Sequence, residues 1–281
     1  MDRSTRGAVE SWAEASIVEV VELDGGEVGT VYRVDLDDGR RVVAKTAETD
    51  LTIEARMLRH LDRVGGLAVP DVLHAAPELL VLEYIEGSSD VTPEAERDLA
   101  DQLAALHSTG AEAFGFPFDT LTGRFRQPNP RTPDWPTFFG EHRLGHAATC
   151  AREEEVLPAD CAGRVAAVVD DLPALLDHDP EPALIHGDVW RENVLTDGKS
   201  VRAFLDPACY YADREVELAY VDWTDTGGDA FFERYRETAG IDDGFEERAA
   251  VYRLYPLLTH VRHFGEEYVD PLRDCLADSG Y

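Results

Sequence analysis

A chain of 281 residues with 44% apolar side chains is long enough for one large or two modest domains, each with its own core. Its 57 acidic residues against 26 Lys and Arg leave a net charge of −31, and a surface of that sign repels nucleic acid and anionic membranes alike. No run of about 18 apolar residues encodes a membrane span and no apolar segment follows Met1 to Arg6, so the expected address is cytoplasmic.

The four cysteines, Cys150, Cys161, Cys209 and Cys275, form no C-x-x-C pair and read as free thiols. Lys45 and Lys199 are the only lysines; every other basic position is Arg. The acidic excess suits a cytoplasm of very high salt, where a Debye length of about 3 Å screens self-repulsion.

In chain order, residues 17–24 are rich in β-branched side chains and predict a strand. Gly25-Gly26-Glu27-Val28-Gly29-Thr30 predicts a flexible turn, and 31–36 the returning strand. The backbone at Gly25 and Gly26 can approach phosphates because glycine has no Cβ in the way, although such a pair is often only a turn. Glu27, an acid in that turn, has no physical account. A third strand, Arg41-Val42-Val43-Ala44-Lys45, ends in one of the two lysines. A compact ammonium there suits pairing with the phosphates of a nucleotide. The helical periodicity of 50–64 carries Glu54, which can hold Lys45 and fix its aim; Glu48 and Asp50 are rivals for that pairing.

Two further strands are expected at 69–73 and 79–85, the second almost wholly apolar and therefore central. Glu86-Gly87-Ser88-Ser89-Asp90 breaks the pattern and divides a β-rich lobe, residues 1–86, from a mainly helical one, residues 87–281. In a kinase-like arrangement the backbone of Glu83, Tyr84 and Ile85 would hydrogen-bond adenine.

Thr92-Pro93 opens a helix that runs to His107, with a capping hydroxyl and a proline at its first position. Residues 114–136, rich in aromatics, Gly and Pro, predict an ordered loop packed on the larger lobe near the substrate. Helices are expected over 138–146, 161–172, 229–239 and 244–264, the last kinked at Pro256. Trp223, Phe231, Phe232, Tyr252, Leu254 and Tyr255 are core candidates. His260 and His263 share a helix face while Arg262 points elsewhere; a pocket role and an ordinary polar role are equally open.

Most of the chemistry lies in Ile185-His186-Gly187-Asp188-Val189-Trp190-Arg191-Glu192-Asn193, followed by Phe204-Leu205-Asp206-Pro207. In-line attack of a hydroxyl on a γ-phosphate needs a carboxylate to take the proton and hard oxygen ligands for Mg²⁺. Asp188 supplies the first, Asn193 and Asp206 the second, in that order along the chain. Asp213 and Glu217 follow at the start of the next helix, where capping and bracing of the catalytic loop is the expected role.

With these residues in view, the chain resembles the fructosamine kinases, or ketosamine-3-kinases, relatives of the aminoglycoside phosphotransferases. The likeness runs nearly end to end. It rests on His186-Gly187-Asp188-Val189-Trp190 with Asn193-Val194, Asp206-Pro207-Ala208, and Tyr210-Tyr211-Ala212-Asp213-Arg214-Glu215. Phe114-Gly115-Phe116, Gln127-Pro128-Asn129, Asp134-Trp135 and His260-Val261-Arg262-His263-Phe264-Gly265 add to it. The resemblance implies a two-lobed α+β, protein-kinase-like fold with ATP and Mg²⁺ in the cleft. It further implies transfer to the 3-hydroxyl of a ketosamine, whose 3-phosphate tends to eliminate and free the amine, as in repair of glycated amines and proteins.

Carried over, Asp188 matches the base, Asn193 and Asp206 the metal ligands, Lys45 and Glu54 the ion pair, and Trp190 and His263 positions at the sugar. The Gly-rich loop lacks the cysteine some members carry, so redox switching through a loop disulfide is not implied. Two rivals stay open: the same chemistry on another alcohol such as an aminoglycoside or choline, and a non-catalytic nucleotide-binding module. Whether the acceptor is a small sugar-amine or a glycated protein, and the oligomeric state, do not follow from the sequence.

Overall fold

The computed structural model describes residues 1–23 and 29–281. The expected phosphate turn at Gly25 and Gly26, with Glu27, lies outside the described residues. The first element is one the hydrophobic pattern did not announce: α1 (Arg3–Ala13), capped by the Asp2 carboxylate, which accepts from the Thr5 N–H at 2.7 Å. Only Val9 and Ala13 of this helix are buried, so its apolar stripe is too thin to stand out.

Behind it come β1 (Ile17–Leu23), β2 (Gly29–Leu36), β3 (Arg41–Ala47), α2 (Leu51–His60), β4 (Val72–Ala76) and β5 (Leu79–Glu83). The strands make one antiparallel sheet in the order β1-β2-β3-β5-β4. The apolar run of β5 is explained by burial on both faces: Leu79 and Val81 pack with Val9 and Ala13 of α1, Leu80 and Leu82 with Leu51, Ala55 and Leu58 of α2. β4 begins three residues later than expected, because Pro70 has no N–H for a ladder. Residues 61–65, expected as the end of α2, form a wider turn of π type that closes at Gly66 with φ of 61°.

The larger lobe opens with α3 (Pro93–His107), whose first turn is capped by the Thr92 hydroxyl. A small hairpin follows, β6 (Thr120–Thr122) and β7 (Phe125–Gln127), then α4 (Trp135–Phe139), α5 (Gly145–Glu153) and α6 (Ala159–Leu175). The helix expected over 138–146 is thus divided: residues 140–144 widen into a π turn. That turn places Arg143, which is fully buried. Its guanidinium donates to Pro128 O at 2.8 Å and Asn129 Oδ1 at 2.6 Å, and lies 3.8 Å from the Tyr210 ring. Through these contacts Arg143 ties the 114–136 segment to the larger lobe.

Next come β8 (Ala183–Ile185), β9 (Val194–Thr196), β10 (Val201–Phe204) and β11 (Tyr210–Ala212), paired as two short ladders, β8 with β11 and β9 with β10. The chain closes with α7 (Glu215–Trp223), α8 (Asp229–Ala239), α9 (Phe245–Tyr252), α10 (Leu254–Phe264) and α11 (Val269–Asp278). The helix expected over 244–264 breaks at Arg253 and not at Pro256. A proline lacks the N–H that would reach four residues back, and its ring crowds that carbonyl, here the one of Tyr252. Among the described residues no helix is long and apolar enough to cross a membrane, and the four cysteines are free thiols.

Candidate active site

β8 delivers His186–Asn193 as a loop that returns through β9, and β10 delivers Leu205 and Asp206. Backbone bonds stitch the two loops together: Leu205 N–H donates to Asn193 O and Ala208 N–H to His186 O, each at 2.9 Å. Gly187 sits at φ of 87°, and a Cβ there would lie 2.4 Å from Ala208 O. Only glycine fits that contact. We expect Gly187→Ala to cost at least about 2 kcal/mol, from strain and clash together, and to lower activity with it; urea unfolding that matches the parent would refute this.

Beneath the loop Glu217 is 1% exposed and accepts three bonds: Gly187 N–H at 2.6 Å, His186 N–H at 3.2 Å and His107 Nε2–H at 2.9 Å. His107 Nδ1 in turn meets the Tyr235 hydroxyl at 2.7 Å. Burial opposes the charge on Glu217, yet the bond and charge of His107, together with His186 and the Gly187 N–H, hold its carboxyl below the usual range. Asp213 accepts from His178 Nε2 at 2.6 Å and the Tyr252 hydroxyl at 2.5 Å, while Glu215 takes both arms of Arg248 at 2.6 and 2.7 Å. Of the two acids expected to cap and brace, Glu217 braces the loop's backbone, while Asp213 accepts from the Glu215 N–H at 3.0 Å and so caps α7. Although His178, Asp213 and Glu215 are close enough to hold a cation, the Arg248 guanidinium already neutralises Glu215.

On the cavity side, Asn193 Nδ2 donates to Asp188 Oδ2 and to the Asp188 carbonyl, both at 2.9 Å, and the Tyr220 hydroxyl donates to Asp188 Oδ1 at 2.9 Å. Tyr220 is a partner the sequence pattern did not single out. Lys45 Nζ bridges Glu54 Oε2 at 2.9 Å and Asp206 Oδ1 at 2.7 Å. Neither Glu48 nor Asp50 takes that place: Asp50 instead caps α2. Burial works against the charge on Lys45, but the carboxylates of Asp206 and Glu54 outweigh it and raise the ammonium's affinity for its proton. Burial also raises the Glu54 carboxyl, against the opposing charge of Lys45. Asp206 adopts φ of 49°, a left-handed backbone that directs its side chain while leaving it 42% exposed.

Two cavities meet here. One is lined by Gly29, Lys45, Glu54, Asp188, Asn193 and Asp206. The other, of about 390 Å³, is lined by Asp188, Trp190, Tyr220, Trp223, His260 and His263 among others. Asp188 and Trp190 belong to both. Gly123 also lines both and Thr122 the second, so the 114–136 segment does reach the site. His260 and His263 face the second cavity, while Arg262 turns to Glu154 at 2.6 Å. Burial, helped by the charge of Arg124, brings His263 down to about 4 and keeps it neutral near pH 7. Trp223, expected in the core, is only half-buried and forms part of the cavity wall.

The hinge residues fare differently. Glu83, Tyr84 and Ile85 are absent from the described lining of the first cavity. The Glu83 N–H donates to Asp71 O at 2.9 Å within the sheet, so it is not the donor for a base. The Tyr84 ring lies 5.4 Å from the Arg41 guanidinium.

The family model for fructosamine kinase matches residues 4–279. A probable ketoamine kinase of Pasteurella multocida is 34% identical over 273 residues, covering 94% of this chain and 93% of that protein. One of Escherichia coli is 31% identical over 258 residues, covering 88% of each. A solved structure assigned as a fructosamine-3-kinase, from Thermobifida fusca, superposes with a TM-score of 0.88 at 30% identity over 99% of both chains. An aminoglycoside phosphotransferase superposes with a TM-score of 0.67 at 18% identity, a likeness of fold alone. The fold is therefore the two-lobed α+β arrangement of the protein-kinase-like enzymes, its chemistry that of an ATP-dependent small-molecule kinase using a divalent metal, and the chain belongs to the fructosamine kinase family.

Proposed function

We propose that this chain transfers the γ-phosphoryl group of ATP to the 3-hydroxyl of a ketosamine, with Mg²⁺ as the divalent ion. The observation that carries the reading is Asp188 standing where the Lys45 cavity meets the aromatic one. In this reading Asp188 accepts the proton of the 3-hydroxyl as that oxygen attacks phosphorus and ADP leaves. Asn193 and Tyr220 hold the carboxylate in place, so positioning and charge supply most of the rate. Lys45, aimed by Glu54, takes the α- and β-phosphates.

The residues fit a metal by charge and by donor type. Lys45 is shared between Glu54 and Asp206, and the half-exposed carboxylate of Asp206 lines the same cavity as the amide of Asn193. Asn193 and Asp206 would hold the ion, which when bound neutralises phosphate charge. Trp190 would stack on the apolar face of the sugar, and neutral His263 would hydrogen-bond its hydroxyls. Gly25 and Gly26 would approach the phosphates by their backbone, and Tyr84 and Ile85 the adenine. We place the lobe boundary after residue 86, between β5 and α3.

ATP consumption over a panel of ketosamines, amino alcohols and aminoglycosides, with phosphorus NMR of the product, tests the reading. Turnover with ketosamines and a phosphate on O3 is expected; turnover confined to another alcohol would replace the acceptor, and Mg-ATP binding without transfer would leave a nucleotide-binding module.

We also place this protein in a cytoplasm of high salt. The net charge of −31 and the near-exclusive use of Arg support that reading. Its melting temperature should climb as KCl is raised into the molar range, because screening removes carboxylate repulsion. A profile independent of KCl would count against the habitat.

A further inference from the structure

Beyond Tyr220, which holds Asp188, the second cavity has a wall that the transfer reaction itself does not use. Tyr220 and Trp223 on α7 lie 6.0 Å apart by ring centroids, Trp223 meets His260 edge-on at 5.4 Å, and His260 lies 4.7 Å from Tyr268. Phe264 continues the series at 5.3 Å from Tyr268 and is 39% exposed, an apolar ring left at the mouth. Among the described lining residues of this cavity the one carboxylate is Asp188. A polycation would need several counter-charges here and finds one. A single ammonium, by contrast, is stabilised by ring faces. At about 390 Å³ the space is within the range of sites that take a whole small ligand, room for a sugar and a substituent beyond it.

Resting on the ketosamine reading above, we infer that Trp223 and Tyr268 hold the protonated nitrogen of the ketosamine and an apolar or aromatic group attached to it, and so select among amines. The nitrogen of an N-substituted ketosamine is a secondary amine, charged near neutrality, and three carbons separate it from the oxygen of the 3-hydroxyl. A sugar held with that hydroxyl at Asp188 therefore projects its nitrogen within the same cavity, toward these rings. Trp223 is then a specificity residue that contacts the substrate away from the reacting atoms.

The probes are 1-benzylamino-1-deoxyfructose and 1-amino-1-deoxyfructose, which share the sugar and the charge but differ in the ring on nitrogen. The parent enzyme should prefer the benzyl compound by about ten-fold in kcat/KM, carried by KM. Trp223→Ala should bring the ratio of the two close to unity, and Trp223→Phe should retain most of it, since an aromatic face is restored. Should Trp223→Ala fail to fold, Tyr268→Leu supplies the same comparison. Equal use of both compounds by the parent, or an unchanged preference in the variants, overturns the inference while leaving the acceptor reading intact. Failure of the parent to phosphorylate either compound overturns the acceptor reading itself.

Discussion

Asp188→Ala should lower kcat by about a thousand-fold, within the range for loss of a positioned general base, while the affinity for an ATP analogue changes little. The geometry separates the two effects. Asp188 lies at the meeting of the cavities, whereas Lys45 and Glu54 line only the first, where the nucleotide is proposed to sit. Removal of the carboxylate takes away the acceptor of the substrate proton, yet Asn193 keeps its bond to the Asp188 carbonyl and with it the loop's shape. Steady-state kinetics with a ketosamine, paired with calorimetric titration of the analogue, measures both. A variant that turns over near the parent rate would remove Asp188 from the role of base.

The largest loss of stability from a single change is expected at Glu217, which is buried beneath the loop. Glu217→Ala would leave the His186 and Gly187 N–H groups and His107 Nε2 without their acceptor in a buried place. Each such orphan costs about 1–3 kcal/mol, so a loss of at least about 3 kcal/mol is expected, and activity should fall with the loosened loop. The same residue gives a pH signature. Its carboxyl is held low in the folded protein, so the stability it contributes is present above the ordinary Glu value, about 4.3, and is lost as pH falls through the lower folded value. Urea unfolding of parent and variant at fixed KCl, from pH 7 downward, should show the gap narrowing at the acid end. A gap that is small at pH 7, or that widens on acidification, would contradict the bracing role.

The elements that were legible in advance are those whose reason is local. The strand at β5 was visible because burial on two faces demands an unbroken apolar run, and α3 because its cap and first-turn proline are chemistry of neighbouring residues. What misled were elements set by partners far along the chain. α1 is held by two buried residues against a sheet formed later. Arg143 is invisible as an anchor until Pro128, Asn129 and Tyr210 fold around it.

The site divides along the same line. The order of residue types alone pointed to a proton acceptor, two oxygen ligands and a phosphate-pairing lysine, because phosphoryl transfer restricts which side chains can serve and the loop fixes their spacing. Only the tertiary structure decided that Glu54, not Glu48 or Asp50, meets Lys45, that Tyr220 reaches Asp188, and that Trp223 leaves the core to line a cavity. These are meetings between elements, set by packing directions that no periodicity along one segment encodes.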